Sequence, residues 1–186
     1  MSILKQLVTG AQEPWGAQMT PEHERIINAW YEINEAFTAA GLSTDPRKYR
    51  EAVASILTDC RPSTEKSGPD CYFTEDQEDL PAERKSTSGK NIKGSYTGQS
   101  NQSTWAEQAK YTEKKIKEMK RHYFDLFCPK TGHLLDSWYL TGDQVFDILL
   151  TKIRDDFHSP KQKADPRIKG TVYMTEIKEK GTQGTL

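Results

Sequence analysis

Residues 104–127, TWAEQAKYTEKKIKEMKRHYFDLF, constrain this chain more than any other stretch. Thr104 and Glu107 stand at capping-box spacing, where each side chain can satisfy a free backbone N–H of the other's first-turn position. No Gly or Pro interrupts the run before Pro129. Trp105, Ala109, Thr112, Ile116, Met119, Tyr123 and Leu126 recur at 4-3-4-3 spacing, which predicts one stripe along a long helix. The stripe is thin around Ala109 and Thr112 and rich around Tyr123, Phe124, Leu126 and Phe127, so a partner-seeking first half and a packed second half are expected.

Upstream, Ile3, Leu4, Leu7 and Val8 suit a short amphipathic helix over residues 1–9, followed by a linker carrying Trp15. Thr20 before Pro21 is a good N-cap and first-position pair, since Pro lacks the N–H that would go unpaired there. Ile26, Trp30, Ile33, Phe37 and Ala40 then repeat at helical spacing until Gly41. Asp45-Pro46 opens a second helix, with Tyr49, Val53, Ile56 and Leu57 on its expected inner face. The short connection predicts an antiparallel hairpin. Two such helices bury too little to stand alone, at ~25 cal/mol per Å² of apolar burial against ~1.5 kcal/mol per ordered residue. An interaction role follows as an expectation.

Periodicity fades from Arg61 to Ser103. The segment is acidic first (Glu65, Asp70, Glu75, Asp76, Glu78, Asp79, Glu83) and basic later (Lys85, Lys90, Lys93), with Cys71-Tyr72-Phe73 its only apolar cluster. That composition predicts a disordered, charged linker. Beyond the organising helix, residues 133–140 read as a strand. Thr141 caps a helix carrying Val145, Phe146, Leu149, Leu150, Ile153 and Phe157 on one wide face. Residues 168–177 read as a second strand.

Composition limits the partners. Only 34% of residues are hydrophobic, 28% are charged, and the net charge is -1, so bulk charge favours neither nucleic acid nor membrane. No apolar run reaches the ~20 residues of a membrane span, and three cysteines, an odd number, suit a reducing compartment. A cytoplasmic protein without a membrane role is expected.

Familiar catalytic motifs are absent: no phosphate-binding loop, no HExxH, no GxSxG. A Cys nucleophile with His122 or His133 as base is a chance-level pairing. Cys128 and His133 flank a turn and could share zinc with Cys60, Cys71 or His122, but no paired CxxC supports a metal site. No catalytic residue, metal or cofactor is assigned. The stretch FCPKTGHLLDSWYLTGDQVFDILL is similar in outline to the opening of a U-box, the ubiquitin-ligase module, through Cys128, Pro129, Thr131, Gly132, Leu135, Asp136, Gly142 and Phe146. That resemblance implies contact of the Leu126–Pro129 turn with a conjugating enzyme. It covers fewer than thirty residues and lacks the later Cys-Pro and Pro-Asn elements, so no membership is assigned.

The sequence therefore predicts a mainly α protein. It would have an N-terminal helical hairpin (1–60), a disordered linker (61–103), and a long helix leading a small α+β or helical domain (104–180). The expected function is a non-enzymatic adaptor or accessory protein that bridges partners, such as a polymerase or regulatory cofactor of viral or phage type. Trp30, Ile33, Phe37, Trp105, Ile116 and Met119 are its expected protein-binding residues, including a coiled-coil-like homodimer contact. The alternative is an RNA- or DNA-binding regulator that uses Lys110, Lys114, Lys115, Lys117, Lys120 and Arg121, since such cations can track phosphates.

Overall fold

A computed structural model describes residues 20–65, 67–99, 102–159 and 168–184. The expected 1–9 helix, the Trp15 linker and most of the loop after His158 lie outside the described residues. The chain divides into two units, residues 1–40 and 41–186.

In the first unit, helix α1 spans Pro21–Ala39. Thr20 caps it as expected: its hydroxyl accepts from the His23 N–H at 3.3 Å, and His23 Nδ1 accepts from the Thr20 N–H. None of its residues is buried.

The second unit opens with α2 (Pro46–Leu57), then β1 (Arg61–Pro62), β2 (Cys71–Glu75), β3 (Glu78–Ser88) and β4 (Lys93–Gln99). Helix α3 (Trp105–Lys117) leads to β5 (Arg121–Phe127), β6 (Leu134–Thr141) and α4 (Gly142–Phe157). β7 (Ile168–Tyr173), α5 (Met174–Lys180) and β8 (Thr182–Gln183) close the described chain. Six strands form one mixed sheet in the order β1-β2-β3-β5-β6-β8, and β4 pairs with β7 separately. Within the large sheet only β3 and β5 run parallel, and α3 is the crossover between them.

This architecture overturns the mainly α, coiled-coil expectation: 44% of the structure is helix and 30% strand, and the large sheet organises it. The supposed disordered linker supplies β1 to β4. Its strands escape a pattern search because the inward positions of β3 are Leu80, Ala82, Arg84 and Ser86, a row mostly without bulky apolar side chains. The β2–β3 hairpin turns at Asp76 and Gln77, both left-handed (φ 51° and 67°), in place of the Asn-Gly pair that signals such turns. Helix α1 falls in the first unit, and α2 in the sheet-bearing one, where it packs against β1, β2 and β3.

The long helix is real from its capping box, with the Glu107 N–H donating to Thr104 Oγ1 at 3.3 Å, but it ends at Lys117. Residues 121–127 are instead a strand buried along both faces, which is why their apolar run is nearly continuous. His122 and Phe124 face α3, α4 and the β4–β7 pair. Tyr123 and Asp125 face α2. The main core gathers Ile92, Ile116, Phe124, Leu140, Leu149 and Val172, among others. The 133–140 strand and the Thr141-capped helix form as expected. The 168–177 strand stops at Tyr173 and continues as α5, which buries Ile177. The stretch compared with a U-box is the β5–β6 hairpin of the large sheet followed by α4.

Candidate active site

Charged residues of α2, β2 and β3 meet where α2 packs on the large sheet. Asp70 immediately precedes β2, and its backbone is held by bonds from the Asp70 N–H to Ala82 O and from the Ser63 N–H to Asp70 O, each 3.0 Å. Its carboxylate accepts from the Arg84 N–H at 2.9 Å and from Lys48 Nζ at 2.5 Å. Only 7% of this side chain is exposed. Lys48 lies one helical turn before Glu51 on α2, with Nζ 2.8 Å from Glu51 Oε2. Lys48 therefore bridges the two carboxylates, and Glu51 Oε2 is buried against its ammonium. Burial, then the neighbouring Asp70 charge, raises the Glu51 pKa, against the pull of Lys48 and Lys85. Burial works against the Lys48 ammonium, but its bonds to Asp70 and Glu51 prevail and its pKa rises.

Strand alternation places Glu83 and Lys85 on the face opposite Arg84. They form an ion pair, and the Lys85 charge acts on both Glu51 and His122. Glu83 lines a cleft of about 610 Å³ with Pro69, Tyr96, Lys115, Met119 and His122. His122 is fully engaged at its wall. Its Nδ1 lies 3.0 Å from the Tyr96 hydroxyl and its Nε2 2.9 Å from Ile116 O. Nε2 therefore carries the proton and Nδ1 accepts. Burial holds the His122 pKa down at about 4, so the ring is neutral near pH 7.

On the other face, Arg84 is wholly buried. Its guanidinium bonds Asp125 through Nε (3.1 Å) and Thr58 Oγ1 through Nη2 (2.8 Å), and lies over the Tyr123 ring at 4.4 Å. Ser137 Oγ donates to Asp125 at 2.7 Å. This network locks α2 to β3 and β5, and so positions Glu51 over Asp70.

The residues expected to bind partners scatter. Ile116 is core, and Trp105 packs against Phe157 and His158 at 5.8 and 5.9 Å. Met119 is a half-buried cleft residue in the turn after α3. Trp30 and Ile33 are exposed on α1, with Phe37 half-buried. The expected basic stripe divides too. Lys110, Lys114 and Lys115 are exposed on α3, Lys115 beside Glu118 at 3.4 Å, and Lys117 pairs with Glu113 (3.0 Å) and Asp143 (2.9 Å). Lys120 lies in the turn. Arg121 points to the α2 face, between the Phe73 and Tyr139 rings at 3.9 and 4.3 Å, and pairs with Glu75. The candidate zinc ligands do not assemble: Cys128 and His133 flank the β5–β6 turn, while Cys60 and Cys71 interact near Tyr123.

Sequence reasoning missed the whole cluster. Its signal was Pro69-Asp70 followed by Glu83-Arg84-Lys85, in which an acid and a lysine share one strand face. The surrounding charge hid it. Among the described residues no group of three or more His, Cys, Asp and Glu side chains closes on a metal position. None of the described helices is long and apolar enough to cross a membrane. No family model matches the chain, and no curated protein matches it in sequence.

Proposed function

We propose that the charged cluster beside the cleft, which reaches it through Glu83, hydrolyses phosphodiester bonds of nucleic acid with the help of a hard divalent cation. The observation that carries this reading is the convergence of Asp70, Glu51, Glu83 and Lys85 where α2, β2 and β3 meet. Asp70, Glu51 and Glu83 offer carboxylate oxygens, the hard donors that such an ion takes. Mg²⁺ needs only one or two carboxylates, because water and substrate phosphate complete its octahedron. The lack of a closed protein cage therefore accords with it. In place of the Lys48 ammonium that bridges the two carboxylates in the structure, Asp70 and Glu51 would hold the ion, with Glu83 beside them. When bound, it supplies positive charge to the phosphate oxygens and lowers the pKa of a bound water. Lys85 offers an ammonium to the charge that develops on phosphorus-bound oxygen, and Lys115 on the cleft wall attracts the backbone phosphates. His122, with both nitrogens engaged, supplies no base.

The test is incubation of the purified protein with plasmid DNA, single-stranded DNA and RNA in Mg²⁺, Mn²⁺ or EDTA. Cleavage should need the cation, and Asp70→Asn, Glu83→Gln and Lys85→Ala should each lower it by on the order of 10²-fold or more. No cleavage of any substrate with either cation would overturn the proposal.

A second reading, a protein-binding role for α1, is favoured by the exposure of Ile26 (67%), Trp30 (45%) and Ile33 (42%). Sedimentation of the parent beside Ile33→Asp tests it. A parent that is monomeric at high micromolar concentration would remove self-association.

A further inference from the structure

Lys85 is gripped by an element that carries none of the charged cluster. β4 crosses the face of the large sheet beside Lys85, with Gly94 and Tyr96 two residues apart and therefore on one side of the strand. A Cβ at Gly94 would lie 3.2 Å from Lys85 Cγ and would collide with the Phe124 ring, so only glycine lets the backbone approach this closely. Lys85 Nζ sits over the Tyr96 ring, 5.3 Å from its centroid. The ring itself is held in place. Its hydroxyl donates to His122 Nδ1 at 3.0 Å, and His122 Nε2 donates to Ile116 O at 2.9 Å, which ties the ring to α3. Tyr96 is 6% exposed and His122 1%, so neither is free to reach a substrate as a proton donor.

We propose that Tyr96 is a positioning residue for Lys85: its ring, fixed by His122, is the platform that holds the ammonium at Glu83. A long lysine side chain otherwise samples many rotamers, and a cation over an aromatic face gains an attraction that narrows them. The catalytic consequence rests on the hydrolysis reading, but the contact itself does not. Loss of the ring misplaces the ammonium without altering how substrate phosphates meet Lys115.

The experiment compares the full-length parent with Tyr96→Phe and Tyr96→Leu. The first readout is the rate at which an N-hydroxysuccinimidyl acetate labels Lys85, followed by mass spectrometry against exposed Lys90 and Lys169. Tyr96→Leu should raise the Lys85 rate about 2- to 5-fold, while Tyr96→Phe, which keeps the ring, should stay near the parent. The second readout is cleavage: Tyr96→Leu should lower kcat by on the order of 10- to 100-fold with KM nearly unchanged, and Tyr96→Phe should restore most of it. An unchanged Lys85 rate in Tyr96→Leu, or an unchanged kcat, overturns the proposal. If Tyr96→Leu fails to fold, the parent's own proton spectrum decides. Lys85 ε-methylene protons should be displaced upfield by the ring relative to exposed lysines, and the absence of that displacement overturns the contact. A parent that cleaves nothing, yet shows the labelling difference, overturns the hydrolysis reading and leaves the positioning contact standing.

Discussion

Arg84 and His122 are two buried polar side chains that stabilise the fold by opposite strategies, one as a charge and one as a neutral ring. Asp125, Ser55 and Thr58 surround the buried Arg84 guanidinium with acceptors. Burial raises the Asp125 pKa while Arg84 and Ser137 lower it, so removal of the guanidinium leaves an acid with its largest compensation gone. Arg84→Met should cost about 3–5 kcal/mol in urea unfolding, as expected for a buried ion pair that loses one partner. Arg84→Met combined with Asp125→Leu should cost less than the sum of the two single changes. His122 works in the other direction. Its pKa falls from the ordinary 6.5 to about 4, so between those values the unfolded chain binds more protons than the folded one. Stability therefore rises with pH across that window, is fully present above pH 6.5, and is lost toward pH 4. The linked free energy is about 3 kcal/mol at ~1.4 kcal/mol per pKa unit. Denaturant midpoints of the parent and His122→Asn, measured from pH 7 to pH 4, should converge as the pH falls. Parallel curves would show that His122 is not buried neutral. None of this was legible from the sequence, where Arg84 lay within the expected disordered linker and His122 within the expected long helix.

At the scale of elements, what the sequence disclosed depended on whether side chains or backbone pairing set the structure. Capping is local chemistry, and Thr20, Thr104 and Thr141 each start a helix where their spacing says they should. Strands held by distant partners left weaker traces. The apolar stripe through Tyr123 and Leu126 continued the helical spacing of α3 by coincidence, and parallel pairing with β3 overrode it. Helix α2 inverted its reading at three of four expected inner positions, with Tyr49 half-buried. Val53 (37%), Ile56 (61%) and Leu57 (52%) are the exposed side chains, and Ala52, Ala54 and Ser55 are the buried ones. Small residues face inward because Ser55 and Thr58 must come close enough to bond Arg84. Ser55→Leu should therefore overpack the helix–sheet contact and cost about 1–3 kcal/mol. Ile56→Ser should change stability by less than about 0.5 kcal/mol. Thermal melts of the two variants check the inversion, and the opposite ranking would restore the apolar face as the inner one.

At the scale of the whole molecule, the decisive difference is where the chain can be opened. A disordered segment over residues 61–103 would present Arg84, Lys85, Lys90 and Lys93 equally to a protease, since trypsin needs a locally unfolded backbone. In the structure these sites are unequal. Arg84 is 0% exposed in a strand paired on both sides, by β2 and by β5. Lys85 is half-buried in the same strand, whereas Lys90 is exposed in the bend between β3 and β4, and Lys130 in the turn between β5 and β6. Release of β3 means breaking the sheet between two neighbours, which approaches the global unfolding free energy of ~5–15 kcal/mol. A loop opens for far less. Brief trypsin treatment should therefore cut at Lys90 or Lys130 well before Arg84 or Lys85, and the last two should yield only as urea brings on global unfolding. Early peptides that end at Arg84 in buffer alone would mean that β3 is not held between β2 and β5. The same result would dissolve the meeting point of Asp70, Glu83 and Lys85, because the pairing of β3 is what holds Lys85 beside Asp70.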